Sequence, residues 1–113
     1  MINSLKNTQN SQIYVDPDGV IGRKGMLTIL DPATDSSQFV WTVANSKVLC
    51  FYRSQSFLTI IKIYRNSELN VKDISATPCF LINSSREKDN NLICTHSIDE
   101  KEIWLQTIKD NIK

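Results

Sequence analysis

One histidine and three cysteines have the most versatile side-chain chemistry in the chain, but their spacing supports neither a metal centre nor a nucleophile. Cys50, Cys79 and Cys94 lie inside apolar runs, and none stands at metal-ligand spacing from another or from His96. An odd number of cysteines in such runs predicts buried free thiols in a reducing compartment. The chain also lacks a Gly-x-Ser-x-Gly elbow and a glycine-rich phosphate loop. We therefore expect no enzyme activity, no metal and no cofactor, with His96 at the surface beside a helix start.

Basic side chains in polar segments are the remaining candidates, because they could meet an anion. Arg53, Arg86 and Lys88 stand in or beside predicted loops, and Lys62 lies in a predicted strand and joins them if it faces the same way. Arginine binds phosphate through its planar fork, and lysine acts as a point charge. Two acids interleave the last pair, so a solvated polar face is the alternative interpretation.

Two further features each allow two interpretations. Phe57 follows a polar loop and forms either an apolar tip beside the basic residues or the first core residue of a strand. Arg23 and Lys24 precede the first predicted strand, which would place them roughly 20 Å from the basic loops. They either form a second patch with Lys72 or remain solvated, and solvation is the simpler expectation.

Size and composition fit one ordinary globular domain. The chain has 113 residues, of which 41% are hydrophobic and 22% charged, enough to fold without metals or disulfides. A net charge of +1, with the basic residues in loops, argues against a nucleic-acid partner. No apolar run approaches the ~20 residues of a membrane span, and the N-terminus lacks the apolar stretch of a signal peptide. These features predict a cytoplasmic protein whose first dozen residues are a polar tail or a docked extension.

Alternating apolar residues predict seven short strands, preceded by an Asp-Pro-Asp-Gly turn at 16–19. The predicted strands cover residues 26–30, 39–43, 48–52, 58–64, 69–74, 79–82 and 92–95. Ser97 begins a capping box in which Glu100 reaches back to the Ser97 amide. The helix that follows carries an apolar stripe of Trp104, Leu105, Ile108 and Ile112. Such a helix can plug the open corner between two near-orthogonal sheets.

From residue 25 to 112 this order of elements resembles a pleckstrin-homology (PH) domain. Gly25-Met26-Leu27 is similar to the start of the family's first strand, the hairpin through Asn45-Ser46 is similar to the next two strands, and Trp104 stands where the closing helix carries its tryptophan. The resemblance implies a mainly β fold with one C-terminal α-helix, a seven-stranded PH-like β-barrel or orthogonal sandwich capped by the helix. Residues 1–19 would be a polar N-terminal extension, and residues 20–113 the PH-like domain.

The resemblance also implies a non-catalytic module that targets membranes. Many PH domains bind phosphoinositide headgroups at the open end of the barrel, between the first/second, third/fourth and sixth/seventh strand loops. On that basis the lipid-binding residues would be Arg53, Lys62, Arg86 and Lys88, with Phe57 as an insertion point. The protein would then be peripheral on a membrane with an anionic phospholipid surface.

This chain departs from the pattern of the tight headgroup binders. Those domains carry a Lys near the end of strand one and a Lys-x-Arg pattern entering strand two, where this chain has Ile29 or Leu30, then Gln38 and Phe39. The loop between them carries two acids, which would repel a multiply charged headgroup. Phosphatidic acid is therefore as good a candidate ligand as a phosphoinositide.

Two further expectations follow from the same resemblance. A protein–protein interaction domain of this fold, without lipid binding, is the alternative function, and it would use a sheet edge or the N-terminal segment. Small size and an Asn/Lys-rich composition also resemble the acylated PH proteins of apicomplexan parasites, which sense phosphatidic acid. Met1-Ile2 is not a myristoylation signal.

Overall fold

A computed structural model describes residues 11–31, 36–53, 59–86 and 90–112 of the chain. These residues form eight strands, a short 3-10 turn (Asn66–Glu68) and one helix. The strands are β1 (Ser11–Val15), β2 (Ile21–Asp31), β3 (Ser36–Ala44), β4 (Val48–Tyr52), β5 (Ile60–Arg65), β6 (Leu69–Asp73), β7 (Cys79–Ser84) and β8 (Asn90–Cys94), and the helix is α1 (Ile98–Ile112). The seven predicted strands are present, and β1 is an additional one.

The strands form one continuous antiparallel sheet in the order β5-β4-β3-β2-β8-β7-β6. The long strand β2 pairs with β3 along most of its length and with β8 from Thr28 to Leu30. It therefore belongs to both halves of the sheet, as in an open sandwich whose halves share a strand. β1 pairs with the first half of β2, on the edge that β8 leaves free. The predicted fold class is confirmed.

The core lies between the two halves of the sheet and the helix. Val40, Leu49 and Phe51 enter it from one half, and Phe80, Ile82 and Ile93 from the other; each of these is 1% exposed or less. Trp104 of α1 is fully buried in the same cluster, with Leu105 and Ile108 beside it. The apolar stripe predicted for the helix is therefore its buried face.

The start of α1 is capped as predicted, but Glu100 has a different role. The Glu100 amide donates to Ser97 Oγ at 3.1 Å, which satisfies a free amide of the first helical turn. The Glu100 carboxylate is buried and accepts a hydrogen bond from Ser11 Oγ instead of reaching back to the Ser97 amide. The capping box is thus half formed, because the acid is paired with Ser11 of β1.

Strand β2 starts at Ile21, five residues before the predicted start, and this overturns the expectation that Arg23 and Lys24 are solvated. Arg23 is buried; it donates to Ser11 Oγ at 2.7 Å and to Thr107 Oγ1 at 3.4 Å. Burial lowers the pKa of Arg23, and the negative charge of Glu100 partly offsets that effect. Lys24 lies on the other face, with Nζ 5.5 Å from the ring centre of Tyr14.

Two of the three cysteines are not free thiols, which corrects the expectation of a fully reduced set. Cys79 and Cys94 face each other across β7 and β8 and form a disulfide, with their Cα atoms 4.1 Å apart. The next amide, Thr95 N, donates to Pro78 O at 2.8 Å, so the cysteines occupy a non-hydrogen-bonded pair, where side chains are closest. The sequence offered no sign of this register. Cys50 is free and buried, as predicted.

Reduction of this disulfide should destabilise the protein measurably. The bridge closes a loop with a sequence separation of 15, for which chain entropy predicts about 3 kcal/mol of stabilisation. We expect urea unfolding with dithiothreitol, or of the Cys79→Ser/Cys94→Ser variant, to show a free energy of unfolding about 2–4 kcal/mol lower. Cys50→Ser, tested without reductant, is the control for loss of a thiol alone. Equal stability of oxidised and reduced protein would contradict the expectation.

The turn at 16–19 is organised by the Asp16 carboxylate. Its Oδ1 accepts from the amides of Asp18 and Val20, and its Oδ2 accepts from the Ser46 amide at 2.9 Å. Gly19 takes a φ of +79°, the left-handed conformation that glycine adopts without strain. Hydrogen bonds from Ser46 first, then from the Val20 and Asp18 amides, lower the pKa of Asp16 to about 2. This carboxylate therefore links the β1–β2 turn to the β3–β4 turn.

Because the folded pKa lies below the ordinary value of 3.8, ionised Asp16 stabilises the fold above about pH 4, and this contribution is lost as the pH falls through about 2. We expect Asp16→Asn to lower the thermal midpoint at pH 7, and its difference from the wild type to shrink between pH 4 and pH 2. Thermal unfolding of both proteins across pH 2–7 measures this. A difference that stays constant over the whole range would assign the loss to geometry and not to charge.

Candidate functional site

Alternate cross-strand rows of β2–β5 face opposite sides of the sheet, and this decides where each candidate side chain points. One row contains Gly25, Thr42, Phe51 and Lys62, and it faces inward because Thr42 and Phe51 are fully buried. The neighbouring row contains Met26, Trp41, Tyr52 and Ile60, and it faces outward. The β4–β5 pairing shifts between Phe51 and Tyr52, which places the outward Ile60 and the inward Lys62 two residues apart.

Lys62 points inward near the open end of the space between the two halves of the sheet. Its Nζ lies 5.3 Å from the ring centre of Tyr64, over the aromatic face. Tyr64 is buried, meets Phe51 edge-on, and accepts a hydrogen bond from Asn91 Nδ2 at 2.7 Å. Asn91 belongs to β8, so its hydrogen bond joins Tyr64 of one half of the sheet to the other half. The ammonium group of Lys62 therefore lies over a ring that is held between the two halves. Lys62 itself is half-buried.

Arg53 follows β4 directly, at the same end of the β4–β5 pair. Its amide donates to Thr59 O at 2.9 Å, which closes the base of the connection between the two strands. Its side chain is exposed. Arg53 and Lys62 therefore lie at one end of the pair, on an exposed corner and on the inner face respectively.

Arg86 lies in a different environment. Its Nη1 is 3.6 Å from Glu68 Oε2, and the neighbouring Ser85 amide donates to Glu68 O at 2.8 Å. Glu68 follows the far end of β5, and the strand between Ile60 and Arg65 spans about 16 Å. The ion pair borders an open cavity of about 420 Å³ whose lining includes Ile63, Tyr64 and Arg65. The structure thus brings Arg53 and Lys62 to one end of the β4–β5 pair and ties Arg86 to an acid.

Two of the predicted site residues, Phe57 and Lys88, lie outside the described residues. Among the described residues, no group of three or more His, Cys, Asp or Glu side chains could hold a metal ion. In the same part of the chain, the helix is too short and too polar to cross a membrane.

The sequence interpretation missed a set of aromatic residues on the outer side of the sheet. Trp41 and Tyr52 both belong to outward rows, and neither is part of the core cluster between the halves of the sheet. Cys50 is also outward. Burial raises the pKa of its thiol above the ordinary value, and a hydrogen bond with Tyr52 offsets part of that effect. The signal that could have found them is the alternation itself, since Val40, Thr42 and Ala44 are the inward residues of β3.

Comparison with solved structures identifies this architecture as the PH fold. No protein-family model matches the sequence, and a search of curated proteins found no match. The crystal structure of the Slm1 PH domain in complex with phosphoserine superposes with a TM-score of 0.71 at 15% identity, over 79% of this chain and 92% of that chain. A solution structure of a pleckstrin homology domain gives a TM-score of 0.68 at 14% identity, over 79% and 82%.

The same fold occurs as one part of larger proteins. The DH/PH domain of human ARHGEF11, in a ternary complex with human RhoA and its inhibitor, gives a TM-score of 0.68 at 11% identity. That match covers 79% of this chain and 28% of the other. At these identities the likeness establishes the fold alone, and the fold does not fix the function.

Proposed function

We propose that this chain is a non-catalytic membrane-targeting module that binds an anionic phospholipid, phosphatidic acid or a phosphoinositide, at the open end of its PH fold. The observation that carries the proposal is the position of Lys62, which points inward beside that end and is held over Tyr64. Arg53 stands at the same end with an exposed side chain. In this proposal the two cations together bind the phosphate group of the lipid.

The affinity expected from such a site is modest and salt-dependent. A basic residue near an anionic membrane contributes about 1 kcal/mol, and that contribution falls with ionic strength. Arg86 is already paired with Glu68, so we expect it to contribute less to lipid binding than the other basic residues. Lys88 and Phe57 lie outside the described residues, so they remain part of the proposal on the sequence alone.

The choice of lipid follows from the charge that the site can neutralise. The structural neighbours include the Slm1 PH domain with phosphoserine and a structure from a systematic screen for protein–lipid interactions in Saccharomyces cerevisiae. Two cations suit one phosphomonoester better than several phosphates. The Lys-x-Arg entry of the tight headgroup binders is also missing. Phosphatidic acid, the lipid sensed by the acylated apicomplexan proteins that the sequence resembles, is therefore the first ligand to test.

A protein–protein interaction domain is the second candidate, and one observation favours it. Within the described residues β1 pairs with β2 alone, so its other edge is available for a partner strand. The segment Ser11–Val15 contains no charged residue or proline that would block such pairing.

Vesicle sedimentation tests the lipid proposal. We expect binding to vesicles with phosphatidic acid, none to neutral phosphatidylcholine vesicles at moderate salt, and loss of binding as salt rises. Arg53→Ala/Lys62→Ala should weaken binding about 30-fold, because each residue contributes about 1 kcal/mol. Lys109→Ala on the exposed face of α1 and Lys72→Ala on β6 are matched controls for loss of charge. If the control variants weaken vesicle binding equally, net charge alone explains the effect and a defined site is refuted.

A further inference from the structure

The outer face of the sheet has an unusual composition for the side of an antiparallel sheet that points away from the core. We define it by twelve outward side chains on four strands. They are Lys24, Met26 and Thr28 on β2, Phe39, Trp41 and Val43 on β3, Val48, Cys50 and Tyr52 on β4, and Ile60, Ile63 and Arg65 on β5. Nine of these twelve are apolar or aromatic, the two charged ones are basic, and none is an acid. The solvent side of an antiparallel sheet is ordinarily polar.

Part of this outer face is packed like an interior. Trp41 is 9% exposed and Cys50 is 2% exposed, although neither belongs to the core between the sheet halves. The indole Nε1 of Trp41 is buried and has no hydrogen-bond partner among the described residues. Tyr52 lies beside both, in register with Trp41 and in contact with the Cys50 thiol.

Around this packed centre, large apolar side chains project into solvent. Phe39 is 72% exposed, Ile60 is 54% exposed and Ile63 is 49% exposed. Phe39 and Ile60 lie toward the end of the sheet that carries Arg53, since Ile60 is in register with Tyr52, the residue before Arg53. The exposed apolar edge is thus continuous with the proposed lipid-binding end. Exposed apolar patches of this kind mark interaction surfaces.

We propose that the outer face is a second membrane-contacting surface, so that the domain docks on its side along β3–β5 instead of with the open end alone. Phe39 and Ile60 enter the boundary between headgroups and acyl chains, the half-buried Tyr52 lies at headgroup depth beside the buried Trp41, and Arg53 meets phosphates at the corner between the two surfaces. Tyrosine favours this zone because one part of its ring is apolar and another is polar. The inference rests on the proposed function, which supplies the anionic bilayer.

Charge favours a bilayer over the other occupants of an apolar face. A second copy would bring an identical acid-free face, with no carboxylate for Lys24 or Arg65. An anionic bilayer presents acyl chains to Phe39 and Ile60 and phosphates to the basic residues at the margins. The apolar edge also begins beside Arg53, which both surfaces share.

Tryptophan fluorescence can test the docking geometry directly. The chain has two tryptophans, and Trp104 is fully buried in the core, so quenching by brominated lipids reports Trp41. We expect vesicles of dibrominated phosphatidylcholine with phosphatidic acid to quench wild-type emission and to leave Trp41→Phe unquenched. Binding without quenching of the wild type would overturn side-on docking.

The second test of side-on docking removes the exposed apolar side chains of Phe39 and Ile60. Phe39→Ser/Ile60→Ser should weaken vesicle binding about tenfold, because burial of such side chains in an apolar phase is favourable. Ile13→Ser/Ile21→Ser is the matched control, since these side chains are 64% and 62% exposed and lie on the opposite face, beside α1. Near-ultraviolet circular dichroism checks that each variant remains folded. Equal weakening by both pairs would refute a specific face.

The two proposals fail in distinguishable ways. Loss of binding in Arg53→Ala/Lys62→Ala, with no effect of Phe39→Ser/Ile60→Ser and no quenching, would keep the lipid site and reject side-on docking. The reverse pattern, with binding to neutral vesicles as well, would keep the apolar contact and reject the anionic site. A wild-type dimer in size-exclusion chromatography that Phe39→Ser/Ile60→Ser converts to monomer, without vesicle binding, would assign the face to a second copy and reject both.

Discussion

The burial of Trp104 between the two halves of the sheet is the interaction on which the fold depends. The side chain is fully buried, and its indole Nε1 has no hydrogen-bond partner among the described residues, so its contribution is essentially apolar. Replacement of Trp104 by alanine would leave a cavity and lower the free energy of unfolding by about 3–5 kcal/mol, a large part of the stability of a small domain. Helix α1 holds the ring in place by its Ser97 cap at one end and by Asn111, which donates to Ile21 O at 3.3 Å, at the other. The helix thereby closes one end of the sandwich, and among the residues that the structure describes it does not cover the other end.

Buried polar groups then connect the additional strand β1 to this helix. Ser11 Oγ receives a hydrogen bond from Arg23 and donates one to Glu100, so one hydroxyl joins β1, β2 and α1. Lys101, on the next helical position, is also buried and reaches Asp73 at 2.6 Å and Ile74 O at 3.0 Å. Buried charges of this kind stabilise only when all partners are present, since removal of one leaves the other desolvated. They therefore fix which strands the helix contacts more than they add to stability.

The sequence predicted the parts of this architecture that depend on local pattern. Alternation located the seven strands, and Ser97 with the stripe led by Trp104 located the helix and its buried face. Sequence pattern failed to predict contacts between residues that are far apart along the chain. Arg23 is buried because Ser11 and Thr107 meet it, and Cys79 is bridged because the β7–β8 register places Cys94 opposite. The outward direction of Trp41 was not predicted, because both faces of β3 are largely apolar and composition could not tell inward from outward. The pairing of Arg86 could not be predicted, because its partner Glu68 depends on how the 3-10 turn packs against the end of β7.

Contact between apolar side chains and water is unfavourable, so the outer face gains free energy if a partner covers it. The position of that face next to the proposed cationic site suggests one partner for both surfaces. The inward row ends at Lys62 and the adjacent outward row at Ile60, because the register of β4 and β5 shifts between Phe51 and Tyr52. That irregularity lets one short stretch of β5 present a cation to the open end and an apolar side chain to the outer face. Electrostatic attraction alone would be weak at physiological salt, and apolar contact alone would not select anionic lipid. Two weak contacts held on one rigid body act with a high effective concentration, so each strengthens the other. If the proposed function holds, the shift in β5 couples charge recognition to membrane insertion without any moving part.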